Sequence, residues 1–141
     1  MTGKIPKKKA RDGVDEYGRT PLHYAVEVSE IESLVALGQN INLQDDNGYS
    51  PLHFSAQRKN LEAILFLLKN GANPNALDIH GNSPLWTATM NAMGEFECIV
   101  ALLNAGANPN QKNKHGKSPA DMANVIGNGL EIIFGENKPK A

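Results

Sequence analysis

The chain has 141 residues, of which 40% are apolar and 21% are charged, and its net charge is −1. These values are typical of an ordinary soluble single domain, and the lone Cys98 excludes a disulfide framework and favours a reducing compartment, for which we expect the cytoplasm. No apolar run approaches the roughly 18 residues that a membrane span needs.

The N-terminal segment is strongly basic. Residues 1–13 hold five Lys or Arg residues against one Asp. A solvated tail is the simplest interpretation, although the lysines at 7–9 also resemble a nuclear-localisation patch and could attract nucleic acid non-specifically. No aromatic residues interleave with the lysines for base stacking, and no apolar stretch follows them as in a secretory signal. We therefore expect no specific nucleic-acid partner and no membrane partner.

Four similar phrases follow the tail. Each opens with Gly and carries Thr or Ser and then Pro: GRTPLHYA (18–25), GYSPLHFSA (48–56), GNSPLWTA (81–88) and GKSPADMA (116–123). Asp or Asn precedes each Gly by three positions, and a second recurring phrase is marked by Gly38, Gly71 and Gly106. Because the prolines lie 30, 33 and 35 residues apart, the pattern indicates stacked copies of one supersecondary unit.

The second copy predicts the local structure of a unit. Residues 45–48 (DDNG) are typical of a turn, and Ser50 followed by Pro51 predicts a capped helix start. An apolar stripe predicts a longer helix over residues 61–70, which Gly71 ends in the left-handed conformation. One unit is therefore a turn, a short helix, a tight turn, a longer helix and an extended return.

The complete T-P-L-H-x-A phrase at residues 20–25 and the unit length of about 33 residues resemble the ankyrin repeat family. The resemblance implies an all-α solenoid of about four helix–turn–helix units with β-turn fingers. We place the repeat domain at 14–134, between a basic N-terminal tail (1–13) and a C-terminal tail (135–141). The units are predicted at about 15–44, 45–77, 78–112 and 113–134.

Three departures from a uniform repeat carry structural predictions. The first unit is three residues short, which predicts a tightened turn between its helices. The third is two residues longer, which predicts a protruding loop at 91–94. In the fourth unit the second helix shrinks to about 130–134, as in a C-terminal cap that buries no further neighbour.

No constellation of residues supports catalysis. The resemblance implies that His23 and His53 bridge neighbouring turns. His80 and His115 could form a metal pair, but no carboxylate or thiolate stands at ligand spacing beside them. Cys98 has no nearby base, and no P-loop, nucleophile elbow or dinucleotide-binding phrase occurs. We predict no enzymatic activity, cofactor, metal or small-molecule substrate.

The turn tips and the exposed face of the short helices remain as a candidate surface, because solenoid curvature joins them into one concave strip. The predicted partner-binding residues are Glu16, Tyr17, Arg19, Tyr24, Asp46, Asn47, Tyr49, Phe54, Gln57, Arg58, Ile79, His80, Asn82, Met90, Lys114 and His115. Aromatic side chains with polar tips are common interface anchors, which favours Tyr17 and Tyr49. For Tyr24 and Phe54, packing over the seam between short helices is an equally good interpretation.

The tips around Tyr17 and Tyr49 are acidic, so we expect a protein partner with a basic surface patch. The chain begins at Met1 and shows no second domain, so masking is the simplest mode of action. By analogy with small ankyrin-like inhibitors and bacterial immunity proteins, we predict a monomeric, non-catalytic protein that inhibits or neutralises its partner. The alternative is a scaffold or adaptor that bridges two protein partners.

Overall fold

A computed structural model of the chain describes residues 11–136; the lysines at 7–9 and residues 137–141 lie outside this range. Within it, eight helices and no strand are found. The helices are α1 (Pro21–Tyr24), α2 (Val28–Ala36), α3 (Pro51–Gln57), α4 (Leu61–Lys69), α5 (Pro84–Met90), α6 (Glu97–Asn104), α7 (Pro119–Ile126) and α8 (Leu130–Glu136). The predicted all-α class is confirmed.

The helices form two layers of a solenoid. In the first layer α1 contacts α3, α3 contacts α5 and α5 contacts α7. In the second layer α2 contacts α4 and α4 contacts α6, and each odd-numbered helix also packs on the even-numbered helix that follows it. The helix contacts thus run within each unit and between neighbouring units, as expected for a stacked solenoid.

The core lies between the two layers and is filled by residues that recur in every unit. In the first three units the leucine of the repeated phrase and one isoleucine of the second helix are buried: Leu22, Leu52, Leu85, Ile31, Ile64 and Ile99. In the fourth unit Ala120 stands in the place of the leucine, and α8 closes the stack with buried Leu130 and Phe134. The cap therefore keeps an apolar inner face although its repeated phrase is degenerate.

The short helices begin where the sequence predicts. The hydroxyl oxygen of Ser50 accepts a hydrogen bond from the His53 backbone N–H at 3.3 Å, and Pro51 occupies the first helical position. Ser83 and Ser118 cap α5 and α7 in the same way. Capping satisfies N–H groups that have no partner inside the helix, and Pro has no N–H to lose at the first position.

The missing residues of the first unit are taken from its helix and not from its turn. α1 has four residues and α3 has seven, whereas the connections to the second helices, 25–27 and 58–60, are equally long. The predicted tightening of this turn is therefore wrong. In every unit the turn has to cross from one helix layer to the other, which requires a constant length. The three missing residues are therefore lost from the short helix.

The other two departures lie close to their predicted places. The connection between α5 and α6 contains Met93, which is 88% exposed, and forms the expected protruding loop. The last helix starts at Leu130 as predicted but continues to Glu136. Gly135 and Glu136, which the sequence analysis placed in the C-terminal tail, thus belong to α8.

Candidate protein-binding surface

Each finger is a turn closed by one acidic or amide side chain. Oδ1 of Asp45 accepts from the backbone N–H groups of Asn47 at 2.9 Å and Tyr49 at 2.8 Å. Asp78 makes the equivalent pair of bonds in the third finger, and Asn113 does so with its amide oxygen in the fourth. The recurring Asp or Asn before each finger glycine is therefore structural.

Neighbouring fingers touch through their backbones. The N–H of Ile79 donates to the carbonyl of Asn47 at 2.9 Å, and similar bonds join the first finger to the second and the third to the fourth. At Gly48 a Cβ atom would lie 2.7 Å from the Cα of Asp78, and the φ angle of +81° also favours glycine. The predicted tip residues are thus held in a row along one edge of the solenoid.

Two buried histidines bind one finger to the next. Nε2 of His23 donates to the carbonyl of Tyr49 at 3.1 Å, and Nε2 of His53 donates to the carbonyl of Asn82 at 3.0 Å. Nδ1 of each ring accepts from a backbone N–H, which fixes the neutral tautomer with the proton on Nε2. Burial lowers the pKa of both His23 and His53, against an opposing effect of the carbonyl bonds.

Three aromatic residues of the first two units surround the guanidinium group of Arg19. Its central carbon lies 4.8 Å from the ring centre of Phe54, 5.0 Å from that of Tyr17 and 5.7 Å from that of Tyr24. Its Nε donates to Oδ2 of Asp45 at 2.8 Å. These five residues form the Arg19 cluster, in which cation–π contacts and an ion pair join the first finger to the second.

The acidic character expected at the first two tips is reduced by pairs within the chain. Arg11 donates from both terminal nitrogens to Asp46 at 2.8 Å, and Asp45 is held by Arg19. The Tyr24 hydroxyl donates to Asp15, which holds the pKa of that carboxyl below its usual range. Of the acids at these tips, Glu16 is exposed, and no ion pair involves it among residues 11–136.

An open groove of about 220 Å³ lies between the second and third units. Five of the predicted residues line it: Tyr49, Phe54, Gln57, Asn82 and Met90. Trp86 and the largely buried Asp78 also line it. Phe54 belongs both to the Arg19 cluster and to the groove, so the two features form one continuous surface.

The remaining predicted residues lie outside the groove. Asn47, Ile79, His80, Lys114 and His115 are exposed at the second, third and fourth tips. Arg58 lies 5.7 Å from the Phe54 ring centre, and its Nη1 donates to the His23 carbonyl at 3.5 Å. Apart from Arg58, which lies beside Phe54, the sixteen predicted residues thus belong to the Arg19 cluster, the groove or a row of exposed tips. Binding of a partner by these residues stays a prediction.

Sequence reasoning missed three residues of this surface. Trp86 stands where the first two units have the bridging histidine, and it was not singled out from the sequence. Asp78 was assigned to the turn alone, and Arg11 to the tail. The sequence did point to Trp86, because the indole is larger than the buried histidine that it replaces and therefore favours a position nearer the surface.

In the part of the chain that the structure describes, no group of three His, Cys, Asp or Glu side chains could hold a metal ion. No helix of that part is long and apolar enough to cross a membrane. Burial raises the pKa of the Cys98 thiol, which disfavours the nucleophilic thiolate.

A family model described as ankyrin repeats, in three copies, matches residues 28–113, which is more than half of the chain.

Proposed function

The chain belongs to the ankyrin repeat family, whose members are protein–protein interaction modules and are typically non-catalytic. We propose that it binds one protein partner along its finger edge, which is the side of the solenoid formed by the turn tips and the short helices. Binding is proposed to inhibit or neutralise that partner. The observation that carries the proposal is the continuous surface from the Arg19 cluster to the groove. Aromatic and arginine side chains of this kind dominate binding energy at protein interfaces.

We further propose that the partner presents a basic patch to this edge. Four carboxylates of the first unit are exposed and take part in no ion pair among the described residues: Glu16, Glu27, Glu30 and Glu32. They are close in sequence to the Arg19 cluster, and charge of one sign raises the association rate of an oppositely charged partner. The protein is proposed to act as a monomer in the cytoplasm.

The proposal is tested by affinity capture with a matched pair of variants. The edge variant carries Tyr17→Ala, Gln57→Ala and Met90→Ala, all at exposed positions on the finger edge or the groove. The control carries Leu37→Ala, Glu62→Ala and Leu65→Ala, which remove exposed side chains from the second-helix layer. Circular dichroism checks that both variants remain folded.

The expected result is stoichiometric capture of one basic protein by the wild type and the control but not by the edge variant. The activity of the captured protein should then be lost when the complex forms. A complex that leaves this activity intact and recruits a third component would support the adaptor alternative. Equal capture by the edge variant would place the contact outside the finger edge and overturn the proposal.

A further inference from the structure

The first two finger interfaces differ by one exchange at equivalent positions. Arg19 and Tyr49 each follow a finger glycine, and Asp45 and Asp78 each precede the next finger glycine by three residues. At the first interface Arg19 pairs with Asp45 and is surrounded by aromatic rings. At the second interface the position of the arginine is taken by Tyr49, so the chain supplies no cation to Asp78 from that position.

Asp78 is placed like Asp45 but is paired differently. Oδ1 of each residue accepts the two backbone N–H groups of its own turn. Oδ2 of Asp45 accepts from Arg19, whereas within residues 11–136 no cationic side chain lies at ion-pair distance from Asp78. The groove opens at this point, with Asp78 in its wall.

Aromatic rings face the same space. Tyr49, Phe54 and Trp86 line the groove, and the Tyr49 and Phe54 ring centres lie 5.7 Å apart in an edge-to-face arrangement. At the first interface the same combination, the Asp45 carboxylate beside aromatic rings, binds the guanidinium group of Arg19. The amide side chains of Gln57 and Asn91 add hydrogen-bonding groups to the groove.

We propose that the groove binds an arginine side chain of the protein partner, with its guanidinium group beside Asp78 and against the rings of Tyr49 and Trp86, because the Phe54 ring is already contacted by Arg19 and Arg58. A planar guanidinium stacks on aromatic faces and donates to a carboxylate in the same pose, and tryptophan gives the strongest cation–π contact. The proposal deepens the proposed function and rests on it for the identity of the ligand as part of a protein.

Charge and size both favour this occupant over others. Asp78 is only 8% exposed, and an apolar side chain in the groove would complete its burial without giving it a counter-charge, which is costly, whereas an acidic side chain would be repelled. The volume of about 220 Å³ is small for an independent small-molecule site, since such pockets typically span about 300–1,000 Å³. A single cationic side chain supplies the counter-charge to Asp78 and is small enough for the groove.

Trp86 is the only tryptophan of the chain, so its fluorescence and its indole N–H resonance report on the groove directly. The probe is N-acetyl-arginine amide, and its matched control is N-acetyl-citrulline amide, which has nearly the same shape but no charge. We expect a saturable change of the Trp86 signal with arginine amide and binding about tenfold weaker with citrulline amide, because a hydrogen bond to a charged group is lost.

Asp78→Asn removes the charge and is expected to keep the turn, because Asn113 closes the fourth finger with an amide oxygen. We expect this variant to bind arginine amide about tenfold more weakly. Glu62→Gln removes one charge from the exposed face of α4 and should leave the affinity unchanged.

Three outcomes would overturn the proposal: equal binding of citrulline amide, equal affinity of Asp78→Asn and Glu62→Gln, or a preference for N-acetyl-phenylalanine amide. A second variant, Tyr49→Arg, copies the first interface and should close the groove to the probe; an unchanged titration would likewise contradict the assignment. The titrations contain no partner protein. Their failure therefore leaves the capture experiment on the finger edge intact, and the two proposals can fail separately.

Discussion

The first and the third finger interfaces share a backbone frame but differ in the side chains that fill it. Both have a backbone hydrogen bond from finger to finger and a glycine that faces the next turn. At the first interface His23 bridges to the Tyr49 carbonyl. At the third, Trp86 replaces the histidine and lines the groove, and the side-chain amide of Asn113 donates to Oδ1 of Asn82 at 2.9 Å.

The difference shows how a repeat protein separates stability from recognition. The glycine and the finger hydrogen bonds set the spacing of the units and recur at each interface. With the glycine and the finger hydrogen bonds in place, the residue at the position of the bridging histidine can vary. In the third unit it is Trp86, which lines the groove. Stability is therefore expected to depend most on the shared frame, and binding on the positions that vary.

The largest effect is expected at the frame. Gly48→Ala introduces a Cβ atom at 2.7 Å from the Cα of Asp78, whereas at Gly116 no atom lies within 4 Å of the added Cβ. Both glycines have positive φ angles, +81° and +74°, so the clash alone distinguishes them. We expect a loss of about 3 kcal/mol for Gly48→Ala and about 1 kcal/mol for Gly116→Ala, measured by urea unfolding. Equal losses would show that finger contact does not limit stability.

The next effect compares the two residue types at the bridging position. His53→Ala leaves the Asn82 carbonyl without its side-chain donor and empties a fully buried site, so we expect a loss of about 2 kcal/mol. Trp86 is partly exposed and makes no side-chain hydrogen bond within the described residues, so Trp86→Ala should cost about 1 kcal/mol. The same unfolding assay measures both, and a greater loss at Trp86 would reverse the assignment of roles.

The histidine bridges also predict a pH dependence. Burial lowers the folded-state pKa of His23 and His53 below the ordinary value of 6.5, so the unfolded chain takes up protons more readily than the folded chain. The stability that they contribute is present above pH 6.5 and decreases as the pH falls from 6.5 toward the folded-state pKa values. The double variant His23→Gln, His53→Gln should show a smaller decrease over this range than the wild type. An identical pH profile would exclude the histidines as its source.

The smallest effect is expected from the exposed ion pair at the first interface. Arg11→Ala removes two hydrogen bonds to Asp46, but the side chain of Arg11 is 46% exposed and such pairs contribute little. We expect a slight loss of stability at low salt that disappears at about 1 M salt, where screening acts over a few ångströms. A large loss that persists at high salt would mean that Arg11 anchors the first finger.

The sequence predicted most of the fold because its signals are local. Ser50 and Pro51 define a helix start within adjacent residues, and Asp45 closes a turn only four residues long. The shortening of α1 was assigned to the turn instead. The sequence shows only that residues are missing between two recurring phrases and not which element between them has lost the residues.

The candidate surface was predicted less completely because its pairs are formed between units. Arg11 and Asp46 are 35 residues apart, and Arg19 and Asp45 are 26 apart, so their pairing depends on how the fingers stack. Without that geometry Asp45 and Asp46 were counted toward the acidic character of the tips, although both pair with arginines of this chain. The aromatic positions were named from the sequence as a candidate binding set, and their role in binding stays a prediction. The groove also includes Trp86, which can be recognised only from the residues that surround it in the fold.

The most direct test of the central claim, that the finger edge is the binding surface, is hydrogen exchange on the complex with the captured partner. Peptides from the wild type, free and bound, would be compared across the described chain. We predict slower exchange in the fingers and in the short helices α3 and α5, together with a changed Trp86 fluorescence. Protection confined to the second helices α2, α4 and α6, with Trp86 unaffected, would contradict the claim.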